Sequence, residues 1–129
     1  MIAKNNIFNI RAMKGQTWMG QTGERRGFAE FIDKTYAIRA WLVIMRTYQR
    51  KHHCTTLAEI VTRYAPPKEN DTAAYIRYCE TVVRSEGRAL TPRQYLLLGQ
   101  AMAWYETTTK LSTQEIDDIQ NAFLIDINN

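Results

Sequence analysis

The sequence predicts a mainly α protein of the α+β class, a compact bundle of about five helices with a small N-terminal β-hairpin. Apolar residues recur every three or four positions from residue 33 onward, the spacing of amphipathic helices. Capping residues precede these stretches, while glycines divide residues 1–31 into short apolar pieces. The chain of 129 residues contains no internal repeat and no linker, so we expect a single domain over residues 1–129.

Residues 1–31 have the pattern of turns and short strands. Phe8, Ile10 and Ala12 alternate with polar residues, as in a half-buried strand. Glycines interrupt the segment at positions 15, 20, 23 and 27. Short apolar pieces between glycine turns favour a hairpin or an irregular sheet over a helix.

The first helix is predicted to begin after Asp33, whose side chain can cap it, and to run to about His52. Its buried face has the spacing i, i+4, i+7, i+11 and consists of Ala37, Trp41, Ile44 and Tyr48. A different stripe of the same helix is basic and contains Arg39, Arg46 and Arg50. These three arginines are candidate ligand-binding residues.

The second helix is predicted from the capping-box spacing of Thr56 and Glu59. The Pro66–Pro67 pair ends it, because proline lacks an amide donor and disfavours helical geometry in the residue before it. A third helix is predicted from Asp71, as its cap, to about Ser85.

Two further helices complete the predicted bundle. Thr91 opens a fourth helix that runs to about Glu106 and is apolar around most of its circumference. Such a helix is normally central in a domain. Ser112, with a glutamate in the capping-box position, opens a last amphipathic helix that is predicted to reach Ile127.

The net charge of +4 is unevenly distributed. Residues 1–53 hold ten Lys/Arg and three Asp/Glu, whereas residues 54–129 hold seven and ten. A basic N-terminal half attracts polyanions such as nucleic acid, teichoic acids or acidic protein faces. The alternative interpretation is a solvated surface with uneven charge.

Several function classes have no motif in this sequence. No apolar run reaches the roughly 18 residues of a membrane helix, and the glycines do not form a phosphate-binding loop. His52-His53-Cys54 is interpreted as a polar helix end, because adjacent helical residues point about 100° apart and seldom share one metal ion. We therefore expect no cofactor, no metal and no membrane partner. Cys54 and Cys79 predict reduced thiols and synthesis in the cytoplasm.

Carboxylates are the candidate acid–base groups, since glycan cleavage uses a general acid in a buried setting with a second carboxylate nearby. Glu24, in the glycine-rich segment, and Glu69, after the proline pair, are the candidate catalytic residues. Glu30, between two phenylalanines, and Glu106, at the end of the apolar helix, are further acidic residues of this kind, and all four also have a structural interpretation as turn, strand, loop or helix-end residues.

Trp18 is a candidate ligand-binding residue because it lies in a glycine-rich loop region, where an aromatic side chain is more often available to a partner. Trp41 and Trp104 lie on apolar helical faces. We expect both of them to pack in the core.

A composite pattern covers nearly the whole chain. Its elements are Asn-Asn-Ile-Phe-Asn-Ile-Arg at 5–11, Trp-Met-Gly at 18–20, Gly-Phe-Ala-Glu-Phe at 27–31, Ala-Ile-Arg-Ala at 37–40, Arg-Tyr-Ala-Pro-Pro-Lys-Glu-Asn-Asp-Thr at 63–72, and Ala-Met at 101–102 with Glu106. Their order and spacing resemble a family of small phage-derived, virion-associated structural proteins. The first element is also similar to a segment of the flagellar-type cell-wall glucosaminidases.

The resemblance implies a lysozyme-like fold and a non-catalytic structural or binding role, with peptidoglycan or another virion protein as the partner. In the glucosaminidases the catalytic glutamate lies on a helix before the first element, and only four residues precede that element here. We therefore expect no counterpart of the catalytic helix. Pro66, Pro67, Glu69 and Asn70 would hold the architecture, while Trp18 and the basic stripe face the partner.

Two alternatives remain open from the sequence. One is a peptidoglycan glycan-strand hydrolase that uses Glu24 or Glu69 as the general acid. The other is a nucleic-acid-binding protein that contacts phosphates through Arg39, Arg46 and Arg50.

Overall fold

The structure is a computed structural model that describes residues 2–127. Within that range the elements are β1 (Gln21–Arg25), β2 (Phe28–Phe31), α1 (Lys34–His52), α2 (Leu57–Tyr64), α3 (Thr72–Val83), α4 (Pro92–Thr107) and α5 (Thr113–Ala122). The predicted class, mainly α with a small N-terminal antiparallel hairpin, is confirmed. No helix between residues 2 and 127 is long and apolar enough to cross a membrane.

The chain before the hairpin runs alongside β2. The Ala29 N–H donates to the Ile10 carbonyl at 3.0 Å, and Arg11 forms an antiparallel bridge with Phe28. Asn6 is fully buried, and its side-chain amide donates to the carbonyls of Ile10 and Ala29, each at 2.8 Å. Asn6 Oδ1 in turn accepts the Ile10 N–H at 2.9 Å. One buried asparagine therefore fixes the N-terminal segment to the hairpin.

Helix α1 lies at the centre of the core. Its Trp41 is fully buried, and the indole stacks on the ring of Phe8 with centroids 5.3 Å apart. Gly99 of α4 lies against the same indole. A Cβ on Gly99 would come within 2.7 Å of Ile116 Cδ1 and 3.1 Å of the Trp41 ring. The missing side chain therefore allows α4 to approach both α1 and α5 closely.

The helices begin at the capping residues that the sequence predicts. Asp33 caps α1, while Thr56 and Thr91 each form a complete capping box at the start of α2 and α4. Helix α2 ends before the proline pair at 66–67, as expected. Helix α3 ends at Val83, slightly earlier than predicted, because Arg84 has a left-handed φ of 55°.

The last helix differs more from the prediction. Ser112 caps α5 by accepting the Glu115 N–H at 3.0 Å. The Glu115 carboxylate pairs with Lys34 at 2.9 Å, so it does not complete the predicted capping box. Helix α5 ends at Ala122, and Ile127 is buried from a non-helical tail. The apolar spacing continued past the helix end because the tail also packs on the core.

Helix α4 is less completely buried than its composition predicts. Leu98 and Met102 are fully buried, but Trp104 is 41% exposed and Tyr105 is 40% exposed. The prediction that Trp104 packs in the core is therefore wrong. Helix α4 packs against α3 and α5, and in its last turn Tyr105 stacks on Tyr75 of α3 while part of its ring stays exposed.

Candidate functional site

A cleft of about 570 Å³ opens where the N-terminal segment meets α1, the end of α2 and the end of α4. We call it the polar cleft. Its lining comes from residues 9–11, Trp18, Phe28, two residues of α1 (Ile44 and Tyr48), residues 63–66, Glu69, Asn70 and Glu106. This volume is in the range of small-ligand sites.

Glu106 is the half-buried acidic group of the polar cleft. Its Oε1 accepts a hydrogen bond from the Asn9 side-chain amide at 2.9 Å, and its Oε2 accepts one from the Tyr75 hydroxyl at 2.8 Å. Next to it, the Thr107 hydroxyl donates to the Ile7 carbonyl at 2.8 Å. These bonds fasten the C-terminal end of α4 to the N-terminal segment and fix the orientation of the carboxylate.

Two tyrosine hydroxyls lie near this carboxylate, and that of Tyr75 donates to it. Burial, and secondly the charge of Glu106, raise the pKa of Tyr75, so its hydroxyl stays protonated and continues to donate. Burial also raises the pKa of Tyr64 well above its usual value, and its hydroxyl donates to the Phe8 carbonyl at 2.6 Å. Glu106 is therefore a fixed acceptor group whose tyrosine partner stays neutral.

The exposed rim of the polar cleft carries an ion pair. Arg11 Nη2 lies 3.3 Å from Glu69 Oε2, and both side chains are largely exposed. The Arg11 guanidinium also lies 5.0 Å from the centroid of the Phe28 ring. The Trp18 indole N–H donates to the Arg11 carbonyl at 3.1 Å, which fixes the indole at the rim. An exposed pair of this kind contributes little stability, so its relevance is to the shape and charge of the rim.

The α1–α2 side of the cleft carries a second arginine. The Arg63 guanidinium lies 5.6 Å from the centroid of the Tyr48 ring. Arg63 Nη2 is also 3.1 Å from His52 Nε2. Because arginine only donates, His52 Nε2 must accept here. Partial desolvation and then the Arg63 charge lower the pKa of His52, consistent with a neutral ring.

Several residues singled out in the sequence meet in the polar cleft. Trp18, Glu69, Pro66 and Asn70 all line it. The Asn70 side-chain amide donates to the Pro66 carbonyl at 3.1 Å, which closes the loop between α2 and α3. Pro67 belongs to that loop without lining the cleft.

The other candidates lie elsewhere. Glu24 is exposed on β1 opposite Ala29, outside the cleft lining. The structure does not bring the basic stripe to the cleft either. The Arg39 guanidinium lies over the Phe123 ring with its centre 5.7 Å from the centroid, and Arg50 donates to the Asp126 carbonyl at 3.0 Å. Arg46 lies half-buried on α1, and nucleic-acid binding through these arginines stays a prediction.

The sequence gives little sign of the role of Glu106 and none of its partners. Glu106 ends an apolar helix, which is the only local signal that it lies near a buried environment. Asn9 and Tyr75 are separated from Glu106 by 97 and 31 positions, so no spacing rule links them. Among the described residues, no group of three or more His, Cys, Asp or Glu side chains is placed to hold a metal ion.

The comparisons with known proteins point to a phage. No family profile matches the sequence. Over 81 residues the chain is 35% identical to Protein P5 of Pseudoalteromonas phage PM2. The match covers 60% of this chain and 51% of Protein P5, so the chain spans about half the length of that relative. The phage part of the resemblance is thus supported by an independent match, which carries no information about the glucosaminidases.

Proposed function

We propose that this chain is a phage-derived, virion-associated structural protein of one domain, which contacts the glycan strands of peptidoglycan through the polar cleft without cleaving them. The similarity to a phage protein supports the phage origin. The observation that carries the binding role is the cleft, in which Trp18 and the fixed Glu106 carboxylate share one cavity.

The charge of the polar cleft suits a neutral polar ligand. Arg11 and Arg63 are balanced by Glu69 and Glu106, and Arg11 is already paired with Glu69. A polyanion would need an excess of positive charge that this cavity lacks. Sugar units of a glycan strand carry hydroxyl and acetamido groups that hydrogen-bond to such acceptors and donors, and an apolar ring face that stacks on an indole such as Trp18.

The hydrogen bonds of Glu106 favour binding over bond cleavage. A general acid must present a proton to the glycosidic oxygen. Here both carboxylate oxygens accept hydrogen bonds, from Asn9 and Tyr75. With both oxygens already bonded to protein donors, the carboxylate has its remaining acceptor sites to offer to a ligand hydroxyl.

Sedimentation with insoluble, purified peptidoglycan tests the binding role. We expect the protein to pellet with the cell wall and Trp18→Ala to reduce its affinity for the cell wall about tenfold, through the loss of a stacking contact worth about 1.4 kcal/mol. Met19→Ala is the matched control, because Met19 is exposed beside Trp18 and outside the cleft lining. Equal pelleting of the Trp18 and Met19 variants would argue against the cleft as the binding site.

A second candidate function is glycan-strand hydrolysis, because Glu69 and Glu106 line the same cleft. One carboxyl group would give its proton to the leaving glycosidic oxygen. The other would either take a proton from the water that attacks the anomeric carbon, or attack that carbon itself to form a covalent glycosyl intermediate, which water then hydrolyses with the first carboxylate as base. A zymogram on cell-wall material tests this second candidate. Hydrolysis would be established, and the binding role displaced, if the protein clears the cell wall, if Glu106→Gln or Glu69→Gln abolishes the clearing, and if Glu24→Gln retains it.

A further inference from the structure

A second groove, of about 610 Å³, lies along α3 and α4 and the loop before α5. We call it the aromatic groove. Its apolar lining includes Tyr78, Val82, Trp104 and Leu111, and polar side chains of residues 109, 110 and 115 stand beside them. Trp104 is 41% exposed, a large fraction for an indole. Large side chains of this type, exposed in a groove, commonly mark binding sites.

A ladder of aromatic rings connects this groove to the polar cleft. Tyr105 stacks on Tyr75 with ring centroids 4.0 Å apart, and its centroid is 5.6 Å from that of Tyr78. The Tyr75 hydroxyl bonds to Glu106, which lines the cleft, while Tyr78 lines the groove. Tyr105 itself is 40% exposed. The ring contacts therefore run from one cavity to the other through the buried Tyr75, beside the end of α4, where Trp104, Tyr105 and Glu106 are consecutive.

We propose that the polar cleft and the aromatic groove are two parts of one surface for a polymeric glycan strand, with Trp104 as the second stacking position. This inference rests on the proposed glycan binding of the cleft and extends it to a second site. Short sugars fill the cleft alone, and strands long enough to pass Tyr105 engage both.

The chemistry of the aromatic groove favours a glycan over an apolar partner segment. An apolar segment would bury the ammonium of Lys110, which is exposed beside the groove, without offering it a polar partner. A sugar ring satisfies both kinds of lining, because its face stacks on an indole or phenol ring while its edge hydroxyls hydrogen-bond to the polar side chains. The groove and the cleft also lie at the same end of α4, which supplies Trp104 to the groove and Glu106 to the cleft, and the cleft has the same combination of aromatic and polar groups.

Chain-length dependence of binding tests the inference. Calorimetric titrations would use β-1,4-linked N-acetylglucosamine oligomers of about two, four and six units as probes. Since two linked contacts bind more tightly than either alone, we expect the longest oligomer to bind about tenfold or more tightly than the shortest. Trp104→Ala should remove this gain and leave the affinity for the shortest oligomer unchanged. Trp18→Ala should weaken binding at every length.

Two further variants keep the experiment decisive. Tyr78→Ala, on α3, tests the groove independently and should also remove the length dependence. Leu124→Ala is the control, because Leu124 is 86% exposed and outside both cavities. Trp18-dependent binding that does not increase with length, or an unchanged gain in Trp104→Ala and Tyr78→Ala, would overturn the inference and leave the proposed function standing. Absence of binding at every length would overturn both.

Discussion

At the scale of single residues, a few buried or partly buried side chains hold the polar cleft together by hydrogen bonds to the backbone of other segments. Asn6 joins the N-terminal segment to the hairpin, and Tyr64 and Thr107 bond to the carbonyls of Phe8 and Ile7. Most of these bonds connect positions that are far apart in the sequence. The cleft is thus a product of specific polar contacts as well as of apolar burial.

Replacing Asn6 by alanine should destabilise the fold strongly. The change removes three buried hydrogen bonds and leaves the carbonyls of Ile10 and Ala29 without this donor. We expect the free energy of unfolding to fall by about 3 kcal/mol, measured by urea denaturation. Asn121→Ala, at an exposed position of α5, is the control and should change it by less than about 0.5 kcal/mol. Comparable values for the two variants would contradict the assigned role of Asn6.

At the scale of elements, α4 connects core packing to the candidate site. Its middle, at Gly99, lies against Trp41 and Ile116, and its last residues carry Glu106 into the cleft. A helix that is shifted at Gly99 cannot keep the Glu106 bonds to Asn9 and Tyr75 unchanged. Close packing in the middle of the helix therefore positions the carboxylate at its end.

The variant Gly99→Ala separates helix propensity from packing. Propensity alone would stabilise α4 by about 1 kcal/mol. The new Cβ, however, would meet Ile116 Cδ1 at 2.7 Å, so we expect a net loss of about 1–3 kcal/mol in thermal or urea unfolding. Adding Ile116→Val removes the obstructing methyl group and should recover part of the loss. A stabilised single variant would show that α4 can move away from its neighbours freely.

The predictability of the elements follows from how local their signals are. The caps at Asp33, Thr56 and Thr91 need only residues within one helical turn, and they were predicted correctly. The end of α5 was not, because the buried tail after Ala122 continues the apolar spacing without helical geometry. Likewise the aromatic residues at the end of α4 have the composition of a core but lie partly outside it. Contacts between distant positions, such as Asn9 with Glu106, have no local signal at all.

At the scale of the whole molecule, buried titratable side chains between the core and the polar cleft make the stability of the fold depend on pH. Burial raises the pKa of the Cys79 thiol to about 12, with a smaller contribution from Glu106. The pKa values of Tyr64 and Tyr75 are also raised above the usual 10.0, first by burial and then by the charge of Glu106. The folded protein therefore holds protons that the unfolded chain releases at lower pH. The lysozyme-like fold implied by the sequence resemblance stays a prediction. The effect of alkaline pH on stability does not depend on it.

Stability should be lost on the alkaline side. Because the folded-state pKa values lie above the unfolded ones, this contribution is complete below about pH 9 and falls as the pH rises toward 12. Urea denaturation at several pH values between about 8 and 11 should show the decline, and Cys79→Ala should reduce its slope from about pH 9 upward. Parallel pH curves for the two proteins would contradict the buried-thiol contribution.

The proposed function requires that a glycan strand bind in the polar cleft without being cleaved. Its most direct test is an NMR titration with the tetramer of N-acetylglucosamine, which follows the Trp18 indole N–H and the Asn9 side-chain amide while the sugar signals are monitored for a day. We expect both protein signals to shift and the tetramer to remain whole. Shifts confined to residues outside the cleft, or accumulation of shorter sugars that Glu106→Gln prevents, would contradict the account.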